Sequence, residues 1–299
     1  MVTPNIIFII PYRDREQQMF FFTNYMKYIL EDYPEGSCQI YFSHQTDKRE
    51  FNRGATKNIG FMAMRDKYPT DYKNITFVFN DIDTIPHKKG LINYETQQGV
   101  IKHFYGFNHT LGGIFSIKGE DFERLNGFIN NWGWGYEDNA LNIRAEKASG
   151  ISIDRSNFWK IGDNNIIQLF DSVTRSINFK NKDNFLKDNI NDGLTTIQHL
   201  KYVINDNMIN IETFNTMRPY VATDIKTYNF FSKERSQMNK MRGFNERSRQ
   251  SNPNQAKQTN TPPPPKQIGL LAGQSMPKTH TNRQTTFTSQ TGRKMFKMF

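Results

Sequence analysis

Two aspartates follow an apolar segment at a spacing that suits a metal ion. Asp81 and Asp83 are separated only by Ile82, so in an extended chain both carboxylates point to the same side. Paired oxygen ligands of this kind suit Mg²⁺ or Mn²⁺, which proteins often share with a diphosphate group. The alternative is a turn after a strand, in which the aspartates cap the next element, since Asp-x-Asp is a common pattern.

Arginines at two further places could bind phosphate groups. Arg13 and Arg15 lie in the sequence PYRDR, and their planar guanidinium groups could pair with phosphate or with neighbouring acids. The sequence FNRGATKNIGF, residues 51–61, supplies Phe51, which could stack on a base, and Arg53, which could contact phosphate or ribose. The structural alternatives are a surface ion pair for the first segment and an ordinary loop with a helix start for the second.

A third segment combines indole rings, glycines and adjacent acids. The sequence WGWGYED, residues 132–138, holds two of the three tryptophans of the chain. Exposed indoles cost free energy in water and glycines cost backbone order, so this density needs a physical reason. One interpretation is that the tryptophans pack in a core and the acids start a helix over residues 137–149, where acids in the first turn are favourable.

These residues must be positioned by the elements around them. Within residues 1–215 the apolar pattern predicts alternating strands and helices: strand Ile6–Ile10, helix Arg15–Leu30, strand Cys38–Phe42, helix Ala55–Lys67 and strand Ile75–Phe79. This order predicts an α/β fold with a mostly parallel central sheet. Ligands of such sheets bind at the carboxyl ends of the strands, which is where PYRDR and NDIDTIP lie.

The basic charge of the chain is confined to its C-terminal part. The 299 residues carry a net charge of +10, and residues 216–299 hold 15 Lys and Arg against 3 Asp and Glu, whereas residues 1–215 hold 24 against 26. From about Ser232 the sequence is polar and lacks periodicity, a composition that cannot bury enough apolar surface to fold. We therefore predict a globular domain over residues 1–231 and a basic, disordered tail over residues 232–299.

Six segments, taken in order, resemble the successive motifs of the β-1,4-galactosyltransferase family. They are PYRDR, FNRGATKNIGF, FNDIDTIP, LGGIFSI, LNGFINNWGWGYEDNALNIR and NDGLTTIQHLKYVI, spread over roughly residues 5–215. The resemblance implies a nucleotide-diphospho-sugar transferase fold of the GT-A type, a UDP-sugar donor and a divalent cation, Mn²⁺ or Mg²⁺. It also implies inversion by direct displacement, in which a carboxylate takes the proton of the acceptor hydroxyl.

The resemblance assigns roles to individual residues. Asp138 is expected to be the general base and Glu137 to help hold the sugars, while Asp83 coordinates the cation and Gly133 and Gly135 let the loop close over the donor. The residues expected at the donor and its nucleotide are Pro11, Tyr12, Arg13, Arg15, Phe51, Asn52, Arg53, Asp81, Ile82, Thr110, Gly112, Gly113 and Trp134. Those expected at the acceptor are Tyr136, Glu137 and Asp138.

The sequence departs from the family pattern at the metal site. The family supplies a methionine and a histidine as further ligands, and Ile166 and Leu169 stand at those places here. Either other oxygen ligands substitute, which would favour Mg²⁺, or Asp83 and the diphosphate hold the cation alone. The candidate substitutes are Asp163, Gln168 and Asp171. No histidine fills the gap, since we expect His87 and His103 at the surface and His199 on a helix.

Further departures affect both substrates. Thr110 stands where galactose-specific members carry a tyrosine that crowds the second carbon of the donor sugar. The smaller side chain leaves room for an N-acetyl group, so galactose, N-acetylgalactosamine and N-acetylglucosamine all stay open as donor sugars. Tyr136 replaces a glycine, and Asn139 and Ala140 replace carboxylates, so the identity of the acceptor is left open.

The sequence therefore predicts an inverting, UDP-sugar-dependent glycosyltransferase that acts on a glycan or glycoconjugate acceptor. One alternative is an inactive nucleotide-sugar or glycan-binding module, against which the retained acids argue. The other is a protein whose basic tail binds nucleic acid or an acidic surface, against which the dilute charge argues. The single cysteine, Cys38, and the lack of a signal peptide or membrane helix predict a cytoplasmic enzyme from a microbe or a large virus.

Overall fold

The described part of the chain contains thirteen strands and five helices. The computed structural model describes residues 3–229, so the predicted tail lies outside the described residues and the domain boundary at 231 stays a prediction. The strands are β1 Ile6–Tyr12, β2 Cys38–Gln45, β3 Thr76–Asn80, β4 Thr84–Pro86, β5 Val100–Gly106, β6 Ile114–Lys118, β7 Ser152–Asp154, β8 Trp159–Lys160, β9 Ile166–Gln168, β10 Thr174–Asn178, β11 Gln198–Asn205, β12 Met208–Asn215 and β13 Ile225–Asn229. The helices are α1 Glu16–Ile29, α2 Arg53–Lys67, α3 Gly119–Arg124, α4 Glu137–Lys147 and α5 Asn181–Leu186, with 3₁₀ turns at Leu194–Thr196 and Ala222–Asp224.

Nine strands of the described part form one sheet in the order β11-β12-β2-β1-β3-β6-β5-β7, with β8 beside β5. The strands β12, β2, β1 and β3 run parallel, as do β7 and β8 beside β5. Only β6 and β11 pair antiparallel with their neighbours. Two short ribbons, β4 with β9 and β10 with β13, lie outside this sheet. The predicted α/β fold with a mostly parallel central sheet is confirmed.

Strand β1 lies at the centre of the sheet because both of its faces are apolar. Successive side chains of a strand point to opposite faces. Ile7 and Ile9 pack in the cluster that contains α2, whereas Phe8 and Ile10 pack in the cluster that contains α1. A strand covered on both sides reads as a continuous apolar run, which is the pattern IIFII in this sequence.

The bounds of the elements follow local side-chain chemistry. Helix α2 begins two residues before its predicted start because the side chain of Asn52 accepts a hydrogen bond from the amide of Ala55 at 2.9 Å. Helix α4 starts at Glu137 as predicted but ends at Lys147. The prediction for His199 is wrong, because it lies on strand β11, where its side chain is exposed on a sheet edge.

The order of the strands reverses around β1, because β2 lies on one side of it and β3 on the other. In sheets of this kind a ligand-binding crevice forms outside the carboxyl ends of the strands at the reversal. Residues 13–15 follow β1 and residues 81–83 follow β3, so the fold places both predicted motifs at this crevice. Among residues 3–229, none of the helices has the length and apolar character needed to cross a membrane.

Candidate functional site

A cavity of about 420 Å³ opens at the carboxyl ends of β1 and β3. The predicted residues that line it are Pro11, Arg13, Arg15, Phe51, Arg53, Asp81, Ile82, Asp83 and Trp134. These predicted residues lie up to 123 positions apart, from Pro11 to Trp134, and meet here only through the fold. Gly133, predicted to let the loop close over the donor, and Asp171, a candidate metal ligand, also line the cavity. Residues not predicted complete the wall: Asp14, Lys48, Arg49, Glu50, Thr174, Arg175 and Ser176. Since arginines and lysines alternate with carboxylates around it, the cavity suits a ligand that carries anionic groups together with a cation.

Arg53 joins the cavity to the two acids at the start of α4. Its guanidinium group donates to Asp81 at 2.6 Å and lies 3.1 Å from Glu137. Burial alone would raise the pKa of Asp81, but the charges of Arg53 and Lys57 outweigh burial and hold that pKa below its ordinary value. Asp81 is therefore ionised and paired with Arg53. Of the two aspartates Asp81 and Asp83, it is Asp83 that does not share this arginine as an ion-pair partner.

Asp83 lies in a surplus of negative charge. Burial raises the pKa of Asp83 to about 7, and the charges of Asp81 and Asp171 add to the effect. The carbonyl of Asp83 accepts a hydrogen bond from the amide of Leu169 at 2.7 Å, so the chain that leaves β9 runs beside it. Among the described residues no group of three or more His, Cys, Asp or Glu is arranged to hold a metal ion by itself.

The three candidate substitute ligands differ in where they lie. Asp171 lines the cavity and forms an ion pair with Arg175. Gln168 is directed elsewhere, since its side-chain oxygen accepts a hydrogen bond from the hydroxyl of Tyr105 at 2.9 Å. Asp163 caps its own turn by accepting from the amide of Asn165 at 2.9 Å. Asp171 is the candidate that shares a cavity with Asp83.

Asp138 lies in a tight setting between α2 and the loop before β6. Its Oδ1 atom is 2.7 Å from the Nζ atom of Lys57. Its other oxygen faces Gly112, where a Cβ atom would come within 2.4 Å of Oδ2. The backbone carbonyl of Asp138 accepts from the amide of Leu111 at 3.0 Å, so the helix start and the glycine loop are tied together. Burial raises the pKa of Asp138 to about 7 against the opposing charge of Lys57.

The two tryptophans of the WGWG segment do different things. Trp132 is buried, stacks on Phe214 with ring centroids 5.4 Å apart, and donates from its indole nitrogen to the carbonyl of Arg218. Trp134 lines the cavity with 48% of its surface exposed. Gly133 separates them at a φ of 80°, and a Cβ there would lie 2.9 Å from the carbonyl of Ser176. The core-packing interpretation therefore holds for Trp132 and fails for Trp134.

The remaining predicted residues lie around the cavity wall or behind it. Tyr12 packs edge-on against Phe42, and Asn52 is buried as the cap of α2. Gly113 has a φ of 74°, and a Cβ there would lie 2.3 Å from the carbonyl of Tyr105. Thr110 is nearly buried in the same loop, and its hydroxyl donates to the carbonyl of Phe107 at 3.2 Å. None of these four residues lines the cavity.

Tyr136 precedes α4 in a left-handed conformation, with a φ of 71°. Its ring stacks on Phe185 with centroids 5.5 Å apart, outside the cavity but next to Glu137 and Asp138. Such a φ is unfavourable for a side chain with a Cβ and is held here by the stack and by the helix that follows. Tyr136, Glu137 and Asp138 thus form one continuous edge beside the cavity.

The prediction that His103 lies at the surface is wrong. Its side chain is buried, and its Nε2 atom lies 3.0 Å from the carbonyl of Gly112. Burial lowers the pKa of His103 to about 4, so the ring is neutral near pH 7. Arg155 donates to the other ring nitrogen at 3.1 Å and to the carbonyl of Thr110. This pair supports the glycine loop from behind.

Lys57 is a further member of the site that the sequence analysis did not predict. A lysine four positions after Arg53 on a helix lies on the same face as that arginine, which is the signal that was present in the sequence. Nothing local indicates, however, that the start of α4, which carries Asp138, packs against this face. Gly54 permits that packing, since a Cβ there would lie 2.1 Å from the carbonyl of Ile129.

Family profiles match most of the domain. The profile of the N-terminal region of glycosyl transferase group 7 matches residues 2–94. The profile described as the N-terminal domain of galactosyltransferase, from the same group, matches residues 100–168. Together these matches run from β1 to β9 and include the cavity-lining residues from Pro11 to Trp134.

Individual relatives agree with the profiles. The chain is 32% identical over 168 residues to the xylosylprotein 4-β-galactosyltransferase of Caenorhabditis elegans, which covers 51% of this chain and 56% of that protein. It is 29% identical over 153 residues to β-1,4-galactosyltransferase 4 of Homo sapiens, covering 47% and 42%. The chain thus spans about half the length of the curated relatives that it matches.

The fold is also that of a solved galactosyltransferase. The catalytic domain of Drosophila β-1,4-galactosyltransferase 7, solved in complex with xylobiose, superposes with a TM-score of 0.56 at 22% identity and covers 70% of this chain and 94% of that one. A second structure of that domain, a mutant in complex with manganese, UDP-Gal and xylobiose, has the same TM-score of 0.56 at 20% identity. The predicted GT-A type of fold is confirmed.

The predicted compartment and origin are wrong. The relatives matched by the chain are β-1,4-galactosyltransferases of animals such as a nematode, a fly and mammals. Animal enzymes of this kind are Golgi enzymes, which overturns the prediction of a cytoplasmic enzyme from a microbe or a large virus.

Proposed function

The chain belongs to the glycosyl transferase group 7 family of β-1,4-galactosyltransferases, and from this membership we propose that it is an inverting glycosyltransferase. It moves galactose or an N-acetylhexosamine from a UDP-sugar to an acceptor hydroxyl. The observation that supports this most directly is the connection between two regions of the site. A charged cavity at the strand ends is joined through Arg53 to the carboxylate pair Glu137 and Asp138, one of which is held in a single orientation.

The proposed reaction is a single displacement. Asp138 takes the proton of the acceptor hydroxyl as the hydroxyl oxygen forms its bond to the anomeric carbon of the donor. The bond between that carbon and the diphosphate oxygen breaks on the opposite face, and UDP leaves with the bonding pair. The cavity in which the diphosphate would lie is lined by Arg13, Arg15 and Arg175. These cationic groups would stabilise the negative charge that develops on the leaving diphosphate.

A divalent cation fits this cavity if the donor supplies part of its coordination. Asp83 is the carboxylate in negative surroundings, and Asp171 lies on the same wall. Carboxylate oxygens suit Mg²⁺ and Mn²⁺, and manganese is bound in the structure of the Drosophila relative with UDP-Gal. When bound, the cation would neutralise charge on the leaving diphosphate. We propose Asp83 as the protein ligand and Asp171 as the second candidate.

The walls of the site suggest how the sugars lie. Trp134 presents an exposed indole face to the cavity, which suits the apolar face of a sugar ring. Thr110 is small and hydrogen-bonded within its own loop, which leaves room beside the donor for a substituent on its second carbon. Tyr136 continues the edge from Asp138 and would contact the acceptor, which in the Drosophila relative is represented by xylobiose.

Replacement of the proposed base tests the function. Asp138→Asn should leave UDP binding within a few-fold of the wild type and lower transfer by about 100-fold or more, the usual scale for a lost general base. Transfer is measured with UDP-galactose, UDP-N-acetylgalactosamine and UDP-N-acetylglucosamine in Mn²⁺ and in Mg²⁺, and UDP binding by calorimetry. Asp163→Asn is the matched control, since that carboxylate caps a turn and does not line the cavity.

The outcomes separate the alternatives. Transfer by Asp138→Asn at a rate close to that of the wild type would remove Asp138 as the base. A wild-type protein that binds UDP but neither transfers nor hydrolyses any of the three donors would be an inactive nucleotide-sugar-binding module instead.

A further inference from the structure

Lys57 is a buried cation at the proposed base. Only 2% of its side chain is exposed, and its Nζ atom lies 2.7 Å from Asp138 and 3.9 Å from Glu137. The same ammonium group lies 4.5 Å from the centre of the Phe128 ring, which adds a favourable contact on its apolar side. Burying an ammonium group is costly unless it is paired, and a leucine or methionine at this helical position would avoid that cost. The charge of Lys57 therefore calls for an explanation beyond packing.

We propose that Lys57 is a positioning residue that fixes the carboxylate of Asp138 and favours its ionised form for removal of the acceptor proton. The inference rests on the proposed role of Asp138 as the base. Lys57 holds Oδ1, while Oδ2 faces Gly112 in the loop expected to contact the donor. One oxygen is thus anchored and the other is left beside the donor loop, where a proton can be accepted.

The charges around Asp138 explain why the lysine is needed. Burial raises the pKa of Asp138, and the negative charges of Glu137 and Asp81 raise it as well. Lys57 is the largest opposing influence, and Arg53 is the second. Without Lys57, the remaining cation is Arg53, which already pairs with Asp81 at 2.6 Å and with Glu137 at 3.1 Å. Asp138 would then be protonated, and inactive as a base, over most of the neutral range.

The pH dependence of transfer tests this role. In the wild type, transfer at saturating donor should rise with pH as Asp138 loses its proton. In Lys57→Met, the folded-state pKa of Asp138 rises, so this acidic limb should move up by about 1 pH unit or more, the usual effect of losing an opposite charge at contact distance. Transfer at pH 7 should fall about fivefold or more, and most of the loss should be recovered at alkaline pH.

A purely structural role gives a different result. If Lys57 only supported the fold, Lys57→Met would lower transfer by the same factor at every pH and leave the limb where it is, which would overturn the proposal. Lys57→Gln, which keeps a donor but loses the charge, should shift the limb in the same direction and serves if the methionine variant is unstable. Lys67→Met is the matched control on α2, since Lys67 contacts Tyr41 and Tyr68 away from the cavity.

Unfolding measurements give a reading that does not depend on activity. Asp138→Asn should lower the urea midpoint in the wild-type background, because it leaves the buried ammonium group without its closest partner. The same change should not lower the midpoint in the background of Lys57→Met. Equal effects in both backgrounds would mean that the two side chains are not coupled and would overturn the proposal. If the two are coupled and Asp138→Asn retains transfer, the proposed base fails while the ion pair stands.

Discussion

Addition of one methyl group at Gly112 should displace the proposed base without unfolding the protein. A Cβ at this position would lie 2.4 Å from Oδ2, 2.9 Å from Cγ and 3.3 Å from Cβ of Asp138, whereas ordinary contacts begin near 3.4 Å. Because both Oδ2 and Cγ are too close, rotation of the carboxyl group alone cannot relieve the clash. The side chain of Asp138 must swing away, and its backbone is held back by the hydrogen bond from Leu111.

The size of the effect follows from the distance. Moving Oδ2 from 2.4 Å to ordinary contact requires a shift of about 1 Å, which breaks the 2.7 Å contact with Lys57. A misplacement of about 1 Å at a reacting group costs on the order of 100-fold in rate, or about 2.7 kcal/mol of transition-state stabilisation. Gly112 does not have a positive φ, so alanine adds no backbone strain there, and any fall in the free energy of unfolding should come from the weakened contact between Lys57 and Asp138.

The assay compares Gly112→Ala with Gly36→Ala, because Gly112 has a close contact and no positive φ, whereas Gly36 has a positive φ and no close contact. Gly36 has a φ of 77°, open space surrounds the position that a Cβ would take, and the residue lies away from the cavity. Gly36→Ala should lower the melting temperature through backbone strain of about 1 kcal/mol and leave transfer by the folded protein unchanged. UDP-sugar affinity is measured for both by calorimetry. Transfer by Gly112→Ala within threefold of the wild type, or a loss matched by an equal loss of donor affinity, would refute the reasoning.

Two other replacements test the cation and the acceptor edge. Asp83→Ala should abolish the dependence on divalent cation and nearly all transfer. Calorimetry of the wild type should show weak Mn²⁺ binding that becomes clear once UDP is present. Tight Mn²⁺ binding without UDP would mean that a further ligand completes the site, with Asp171 as the first candidate. Tyr136→Gly should leave the melting temperature nearly unchanged, because relief of the strain at a φ of 71° and loss of the stack on Phe185 are each worth about 1 kcal/mol and offset one another. The KM for the acceptor should rise, and donor hydrolysis should persist. An unchanged acceptor KM would remove Tyr136 from the acceptor edge.

The sequence by itself determined the elements that carry the site. A continuous apolar run such as Ile6–Ile10 predicts a strand that is buried on both faces, and β1 is buried in this way. The alternation of such runs with helical patterns predicted a mostly parallel sheet, and the rule for strand ends then pointed to residues 13–15 and 81–83. These inferences succeeded because each depends on residues that are near one another in the chain.

Side-chain surroundings set by distant segments could not be predicted in this way. Trp132 and Trp134 have the same type and nearly the same neighbours, yet one is buried against Phe214 and the other faces the cavity. His103 was expected at the surface and is buried behind the glycine loop. Asp163, Gln168 and Asp171 were equivalent candidates until the fold directed only the last of them into the cavity.

The ion pair of Lys57 with Asp138 shows the division most directly. The two residues are 81 positions apart, one inside a helix and the other in a first helical turn, and neither segment by itself indicates the contact between them. Whether a buried charge is tolerated depends on which opposite charge the fold brings within contact distance, and that distance is decided by the packing of α2 against the start of α4. The sequence therefore determined which residues could do the chemistry, and the tertiary structure decided which charges act on them, because electrostatic energy in a buried site depends on distances of a few ångströms between segments far apart in the chain.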